Sequence, residues 1–440
     1  MTASNTLTSR TIDIMRFPLI IGVVIIHCFR ATELKWSWLL EYVLSQDITR
    51  VCVPLYFAVS GYLFFYNVTA FEKSIYIKKV SSRVRTVLLP YIIWNAFCLI
   101  RFTVKPLMRG DMDFVGFLHT AFDCFVGRNL PVSEFTSVLT PSFLPADYPL
   151  WFLRDLFIYV LLSPVFFYIL KSCGKYVLLL LSVCFLAGWW INGTVFSIPG
   201  ILYFSVGAYF GIKKLNPSEI LVAHRGRANI LLAGWLCLIV ADVATFGTSY
   251  HYYIHSSQIF IGVLAAYWCA TVFAERCKSD SLMDKIPGGA VFCVFVMHAI
   301  ILSDTSRLLL RMLGNSEVGF IFAYFANIVL STVCPLIFYF VMNRFAPSIL
   351  AFLLGGRSVP VAIKRRWFLD PAAFADGGEQ HSPDYYGHGE NLSPMQGVEL
   401  HQHSRDGGEY WNQILVNRNQ LGTDALDCRL HQKVCHECRA

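Results

Sequence analysis

Asp13, Arg16 and His27 lie along the first apolar segment of the chain, RTIDIMRFPLIIGVVIIHCF. Arg16 and His27 are eleven residues apart, so on a helix they face the same side with a rise of roughly 16 Å between them. An imidazole exchanges protons near neutral pH and gains nothing from facing lipid. We therefore predict that His27 is a functional residue.

Arg16 and Asp13 have two interpretations. Asp13 precedes Arg16 by three residues and can brace its guanidinium group on one helix face. Alternatively, Arg16 only extends to the nearest polar surface, and Asp13 only caps the helix. The residues alone leave both interpretations open.

A basic cluster precedes the third apolar run, in KKVSSRVRTVLLPYIIWN, and includes Lys78, Lys79, Arg83 and Arg85. Arginine forks and lysine point charges are the groups that bind phosphates. Anchoring to anionic lipid headgroups is the alternative, and composition alone favours it.

Later apolar runs contain further polar or aromatic side chains, which are costly there without a function or a partner. They are Tyr62, Trp151, Arg154, Asp155, Asp242 and His298. Trp151, with Tyr148, is typical of an interfacial aromatic belt. Because neighbouring residues of a helix do not face each other, we expect Arg154 and Asp155 each to meet a partner on another segment. For the others, a hydrogen bond between helices fits as well as a chemical role.

The elements that position these residues follow from composition. Of 440 residues, 55% are hydrophobic and 15% charged, with mean hydropathy +0.52, whereas soluble domains carry about a quarter charged residues. Runs such as YVLLLLSVCFLAGWW do not alternate, which excludes a transmembrane barrel. We predict an all-α bundle of about ten transmembrane helices. The predicted spans are 12–29, 51–68, 86–102, 151–170, 176–192, 197–212, 229–247, 257–274, 287–303 and 319–342.

Lys and Arg set the expected orientation. Alternate loops carry 20 of them on one side and 8 on the other, which predicts cytoplasmic termini and an outer 103–150 segment. That segment is our candidate surface for an acceptor, with a merely solvated loop as the alternative. Its acidic residues are Asp111, Asp113, Asp123, Glu134 and Asp147. The net charge of +7 is the sum of +13 up to residue 366 and −6 from Trp367 onward. The basic excess belongs to the loops of the membrane part, so we expect no nucleic-acid partner.

We divide the chain into a membrane domain, 1–345, and a cytoplasmic tail, 346–440. From Trp367 onward there are 11 Asp and Glu against 5 Lys and Arg, which is typical of disorder. The tail ends with Cys428, Cys435, His436 and Cys438. A zinc knuckle is conceivable, but an accidental cluster in an unstructured or non-native terminus is favoured, and we expect no metal.

The ordered landmarks of the chain resemble the acyltransferase-three family of polytopic membrane acyltransferases, typified by enzymes that O-acetylate surface polysaccharides. The similarity runs from about Arg10 to Arg344. It rests on Asp13, on the spacing of Arg16 and His27, on VPLYFAVSGYLF, the basic run ending in LLPYIIWN, PLWFLRDL, SVGAYFG and a late FVMH. Each landmark is weak alone, but their order is specific.

The resemblance implies acyl transfer, usually of acetyl, from cytosolic acetyl-CoA or another acyl-CoA to a hydroxyl of a carbohydrate or lipid-linked glycan. It also implies multi-pass insertion in a prokaryotic cytoplasmic membrane. His27 would be the catalytic histidine, Arg16 its essential partner with Asp13 beside it, and Lys79, Arg83 and Arg85 would bind the CoA phosphates. Many members carry two arginines separated by two residues, whereas Arg83 and Arg85 are separated by one, so the phosphate ligand among these three stays open.

Acyl transfer to a hydroxyl needs a base or a transient nucleophile, and His27 can serve as either. It also needs a group that stabilises the developing oxyanion, for which Arg154, Tyr62 or Trp151 are the candidates, with Asp155 and His298 as further candidates at the substrate. The competing interpretation is an exporter of polysaccharide or small molecules. The sequence shows no internal repeat and no matched pair of broken helices to support it. A sensory module is a third interpretation, and no motif in the tail favours it.

Overall fold

The computed structural model describes residues 7–28, 34–126, 128–129, 143–189, 196–277, 286–314 and 316–357. Almost all of them are helical, as predicted. The helices are α1 (Leu7–Cys28), α2 (Lys35–Tyr42), α3 (Cys52–Tyr66), α4 (Lys73–Arg83), α5 (Leu89–Arg109), α6 (Phe114–Phe125), α7 (Trp151–Leu161), α8 (Ser163–Ala187), α9 (Ile198–Ile212), α10 (Pro217–Ala223), α11 (Arg225–Thr245), α12 (His251–Arg276), α13 (Gly288–Leu313), α14 (Glu317–Phe345) and α15 (Pro347–Leu353). Two short strands, β1 (Arg128–Asn129) and β2 (Phe143–Leu144), pair antiparallel.

Eight helical segments in the described ranges are long and apolar enough to cross a membrane. Two of them, Lys35–Tyr66 and Lys73–Arg109, each join two helices into one continuous segment, while Phe114–Phe125 and Ile198–Ile212 are shorter apolar helices. The prediction of an all-α polytopic membrane bundle is confirmed. The number of crossings and the sides of the termini stay predictions.

α1 lies at the centre of the bundle, packed among α3, α12, α13 and α14. In its most apolar stretch 61% of the residues are buried, against 17% in α11, where Ile230 and Val240 are exposed. An apolar residue exposed on a membrane helix has lipid as its solvent. The polar groups of α1 are therefore surrounded by protein on most sides, which is where functional polar groups of membrane proteins lie.

The closest helix pair is α3 against α9, and small residues bring it together. A Cβ atom at Gly207 would overlap the carbonyl oxygen of Ala58, and one at Gly61 would overlap that of Phe204. A Cβ atom at Gly211 would lie 2.7 Å from the carbonyl oxygen of Tyr62. Glycines on both helices thus let the two backbones touch, as small-residue motifs do in membranes.

Two stretches widen into π-helix, Val43–Ile48 and Val84–Leu88. The second precedes Pro90, which has no N–H to donate to the carbonyl group four residues earlier, so the local hydrogen-bond pattern must change. π-turns rotate the following side chains and are frequent at functional sites. Here they carry Asp47 and Arg85, both of which belong to polar clusters described below.

Two findings refine the predicted boundaries. α8 is interrupted at Cys173 (φ −125°, ψ 26°), between the predicted spans 151–170 and 176–192. Residues 347–357, which fall in the predicted tail, form α15 and a turn that packs against α5, where the indole of Trp94 donates to the carbonyl of Leu353 at 3.2 Å. The tail beyond residue 357, with its cysteine cluster, lies outside the described residues.

Candidate active site

The half-buried imidazole of His27 contacts two rings at the end of α1. The ring of His298 on α13 stacks on it with centroids 5.3 Å apart and planes at 27°. The ring of Tyr148, in the 3-10 turn Tyr148–Leu150 before α7, meets it edge-on at 4.8 Å. Tyr148 was predicted to belong to an interfacial belt, and the structure places it in this group instead. Two imidazoles that the sequence separates widely therefore form one site.

His298 is completely buried and its ring is oriented by its own helix. Nδ1 lies 2.8 Å from the carbonyl oxygen of Phe295 and 3.1 Å from that of Val294. Since a carbonyl only accepts, Nδ1 carries the proton, and in the neutral ring Nε2 is then a free base. No described residue forms a hydrogen bond with Nε2. The site thus holds a buried base next to His27.

Arg50, which follows the first π-helical stretch, is the charged group of this region. Its charge acts on His27 and also on Tyr42 and His255. The sequence analysis placed no function on Arg50. In the sequence, what pointed to Arg50 was its position three residues before VPLYFAVSGYLF, one of the landmarks of the resemblance. A cation at this place can stabilise negative charge that develops beside His27.

A stripe of rings on α13 leads away from His298. Phe295 lies 6.3 Å from His298, and Phe292 lies 5.8 Å from Phe295, both measured between ring centroids. The spacing of three residues places them on one helix face, over a rise of about 9 Å. The guanidinium of Arg357 lies 3.7 Å above the ring of Phe292. The stripe therefore connects the histidine pair with a cation near the end of the described chain.

Arg357 belongs to a basic cluster with Arg83 and Arg85. A Cβ atom at Gly356 would lie 3.9 Å from Nε of Arg85, and Gly355 packs against the carbonyl of Arg85. Desolvation lowers the pKa of Arg357, and the charge of Arg83 lowers it further. Like charges held together in this way favour a bound anion. Lys79 lies one turn before Arg83 on α4, with Nζ 5.0 Å from the ring centroid of Phe64.

Arg16 lies near the middle of α1, three turns before His27, and the two side chains do not touch. Its guanidinium pairs with Asp13 at 3.0 Å, and both side chains are about half exposed. They line a cavity of about 360 Å³ with Pro287, Gly288 and Val291 at the start of α13. The predicted pairing of Asp13 with Arg16 is thus present.

Two predicted substrate residues lie apart from the histidine pair. The hydroxyl of Tyr62 lies 3.5 Å from Oδ1 of Asn216, and its ring packs on Tyr66 at the end of α3. Trp151 is half-buried against Phe57 with ring centroids 5.9 Å apart. Neither contacts His27 or His298 in the described part of the chain, so Arg50 is better placed for an oxyanion than either.

Arg154 meets the expected partner on another segment, the carbonyl oxygen of Val126, but it also pairs with its chain neighbour Asp155, which the sequence analysis did not expect. Nε of Arg154 donates to Oδ1 of Asp155 at 3.1 Å, and Nη1 donates to the carbonyl oxygen of Val126, also at 3.1 Å. Adjacent Cβ atoms diverge on a helix, but the long arginine side chain folds back over the turn. This pair neutralises the fully buried Asp155 and fastens α7 to the end of α6.

In the 103–150 segment the structure describes residues 103–126, 128–129 and 143–150, and most of residues 103–126 are helical. α5 continues to Arg109, and Asp113 caps α6 by accepting from the N–H of Gly116 at 2.7 Å. Asp147, in contrast, is buried, and burial raises its pKa well above the usual range. Its backbone N–H donates to Oδ1 of Asn95 at 3.2 Å. Asp147 therefore supports the turn that carries Tyr148, while Glu134 lies outside the described residues.

Comparison with known proteins agrees with this architecture. A family model described as an acyltransferase domain, that of the acyltransferase-three family, matches residues 10–340. The chain is 26% identical over 371 residues to the succinoglycan biosynthesis protein ExoH of Rhizobium meliloti (strain 1021), covering 80% of this chain and 93% of that protein. No solved structure matches it significantly. Since the family model matches residues 10–340, well over half of the chain, the chain belongs to the acyltransferase-three family of membrane acyltransferases.

Proposed function

We propose that the protein transfers an acyl group from cytosolic acyl-CoA to a hydroxyl group of a surface or exported carbohydrate. The observation that carries the proposal is a continuous row of side chains. The guanidinium of Arg357 lies over Phe292, and Phe292, Phe295 and His298 then follow one face of α13 to the ring of His27. A CoA thioester has phosphates at one end, a long flexible arm and a reactive carbonyl at the other. The stripe offers cations, apolar rings and bases in that order.

At the phosphate end, Arg83, Arg85 and Arg357 bind the donor. Guanidinium groups form paired hydrogen bonds with phosphate oxygens, and partial burial strengthens them. Lys79 adds a charge one turn away on α4. Arg16 and Asp13 line the neighbouring cavity beside the first turn of α13, where Arg16 can contact the polar middle part of the donor. Arg357 extends the predicted donor site to a residue that the sequence analysis assigned to the tail.

At the reactive end, His27 removes the proton of the acceptor hydroxyl as its oxygen attacks the thioester carbonyl. The C–S bond then breaks, the acyl group stays on the acceptor oxygen, and the CoA thiolate takes the proton back from His27. Arg50 stabilises the oxyanion between these steps. Nε2 of His298 is a second base beside the pair, and Tyr148 fixes the edge of the His27 ring.

The acceptor class rests on the relative, whose name assigns it to succinoglycan biosynthesis. A carbohydrate or lipid-linked glycan is the acceptor that we propose, with acetyl as the first donor to test and succinyl as the second. The protein would act as a multi-pass protein of a prokaryotic cytoplasmic membrane, with its donor site on the cytoplasmic side.

The test uses purified protein in liposomes that contain acetyl-CoA or succinyl-CoA. We expect release of free CoA with each competent donor and acylation of an added polysaccharide acceptor, both lost in His27→Ala. Mass spectrometry of surface glycans from cells with and without the protein identifies the natural acceptor. An exporter would move glycan with no dependence on acyl-CoA, and that result would refute the proposal.

A further inference from the structure

A second polar cluster lies where α11 ends and α12 begins, and the proposed reaction does not use it. Asp242 belongs to the last turn of α11, and His251 and His255 belong to the first two turns of α12. A separation of four residues places both imidazoles on one helix face. The ligand atoms of these three side chains all lie within 4.8 Å of one another. Asp242 is fully buried, and the side chain of His255 is 4% exposed.

The hydrogen bonds of this cluster leave a place for a cation. The hydroxyl of Tyr42 has one proton and donates it to Oδ2 of Asp242 at 2.9 Å. Its contact of 3.3 Å with Nε2 of His251 therefore requires that Nε2 donates. In the neutral ring, Nδ1 of His251 then presents a lone pair to Oδ1 of Asp242 at 3.5 Å. Within the described ranges neither atom has a hydrogen-bond partner, so the contact needs a positive charge between them, either a proton on Nδ1 or a bound cation.

A second buried carboxylate adds to the negative charge that a proton or a cation must balance in this cluster. Asp47, in the π-helical stretch Val43–Ile48, is fully buried and contacts Asp242, and no donor in the described parts of the chain reaches either of its oxygens. Two buried carboxylates in contact must share a proton or a cation. A divalent ion neutralises both at once, which a single proton does not.

The distances suit a zinc-type ion. Tetrahedral ligands at about 2.0–2.1 Å from Zn²⁺ lie about 3.3 Å apart. Nδ1 of His255 lies 3.1 Å from Oδ2 of Asp242, and Nδ1 of His251 lies 3.5 Å from Oδ1. The ligand atoms of the three side chains all lie within 4.8 Å of one another, so the imidazole at the widest separation must rotate to move its nitrogen by up to about 1.5 Å to reach the tetrahedral spacing. Tyr42 would hold both Asp242 and His251 from outside, as second-shell groups orient metal ligands.

We propose that Asp242, His251 and His255 bind a divalent transition metal of the zinc class, with the buried carboxylate of Asp47 adding negative charge beside Asp242. The ion would join α11, α12 and the π-helical stretch at the end of the bundle where α1 places His27. It would also fix Arg50, whose charge acts on both His255 and His27. The proposal does not depend on the acyl-transfer proposal, and it replaces the expectation from the sequence that the protein holds no metal.

The test measures zinc bound to the purified full-length protein after loading with ZnCl₂ and dialysis against a weak chelator. We expect about one zinc per chain, lost from His251→Gln and His255→Gln. His119→Gln and His224→Gln remove exposed histidines elsewhere and should keep it. EDTA should lower the melting temperature of the wild type and leave that of His255→Gln unchanged, because an ion that binds only the folded state stabilises it.

A zinc-edge X-ray absorption spectrum of the wild type covers the case in which a variant fails to fold. Two imidazoles and two oxygens around the ion, with no sulfur, support the site. Sulfur ligands, or loss of zinc from Cys435→Ser with Cys438→Ser, would assign the metal to the tail and overturn the proposal. Folded wild type that retains no zinc, or equal retention in His255→Gln, would overturn it as well.

Discussion

The imidazole of His27 stacks on that of His298, with ring centroids 5.3 Å apart. In a stacked pair the ring N–H groups lie in the ring planes, so the two imidazoles do not hydrogen-bond to each other. Nδ1 of His298 is held by two backbone carbonyls of its own helix. The pair therefore has one ring with a fixed tautomer and one ring whose nitrogens stay available. This asymmetry assigns different roles to the two residues, and it can be tested with variants that keep one nitrogen at a time.

We expect His298→Asn to retain the fold and lose acyl transfer by about 10²- to 10⁴-fold, the usual contribution of a general base or acid. The asparagine amide can still donate to the carbonyl of Val294 or Phe295 but has no counterpart of Nε2. The rate of CoA release, measured beside His27→Ala, gives the answer. His224→Asn is the matched control at an exposed position. Normal turnover in His298→Asn would remove His298 from the mechanism.

We expect Arg83→Gln and Arg357→Gln each to raise KM for acyl-CoA about tenfold, with kcat little changed. A lost hydrogen bond to a charged group costs about 1.5–3 kcal/mol, and tenfold corresponds to about 1.4 kcal/mol. An acyl-pantetheine donor, which lacks the phosphates, should be used equally by these variants and the wild type. Arg344→Gln, at an exposed arginine near the end of α14, is the control. An unchanged KM in Arg357→Gln would confine the donor site to α4 and the start of α5.

We expect the stability of the wild type to fall as pH rises above about 4, through the contribution of Asp147. Burial raises the folded-state pKa of Asp147 above the unfolded value of about 3.9. The neutral carboxyl is therefore favoured in the fold, and its stabilisation is fully present below the unfolded pKa and lost as pH rises through the folded one.

The measurement is the melting temperature in detergent between pH 4 and pH 8 for the wild type and Asp147→Asn. The variant should melt higher than the wild type at the upper end of this range and show a weaker dependence on pH. Asp111→Asn, an exposed aspartate in the same segment, should follow the wild type. Parallel curves for Asp147→Asn and the wild type would contradict the assignment.

We expect Gly207→Ala to destabilise the protein by about 1–3 kcal/mol, because its new methyl group would overlap the carbonyl of Ala58 and force α3 and α9 apart. Gly234→Ala is the matched control, since nothing lies within 4 Å of a Cβ atom there. In a helix interior that change stabilises by up to about 1 kcal/mol. The free energies of unfolding of Gly207→Ala and Gly234→Ala, measured by denaturation in mixed detergent micelles, distinguish the two effects. Equal values for the two variants would show that α3 and α9 can move apart at no cost.

The helices of this protein could be predicted from the sequence because a helix in lipid needs a long apolar segment, and each such segment can be recognised without knowing its neighbours. It also selected His27 and His298 separately, since an ionisable group within such a segment is costly. It could not bring the two together, because their contact depends on α1 and α13 being neighbours, and no sequence pattern in either helix encodes its neighbour.

Other contacts were missed for local reasons. The rule that adjacent helical residues diverge describes Cβ directions, so it failed for Arg154, whose side chain is long enough to return to Asp155. Tyr148 matched an interfacial pattern because its chemistry suits both a membrane surface and an aromatic site. Arg357 was assigned to the tail because it follows the last long apolar run, although α15 returns it to the bundle.

The π-helical stretch Val43–Ile48 also has a consequence for how relatives of this protein should be aligned. A π-turn accommodates one residue more than an α-turn, so a relative with one residue fewer between Tyr42 and Arg50 could continue here as an α-helix. A homologue that lacks this residue would rotate its counterpart of Asp47 by about 100° away from the α11–α12 hairpin. Within the family, a single-residue gap at this point and the absence of the His251 and His255 pair should therefore be inherited together.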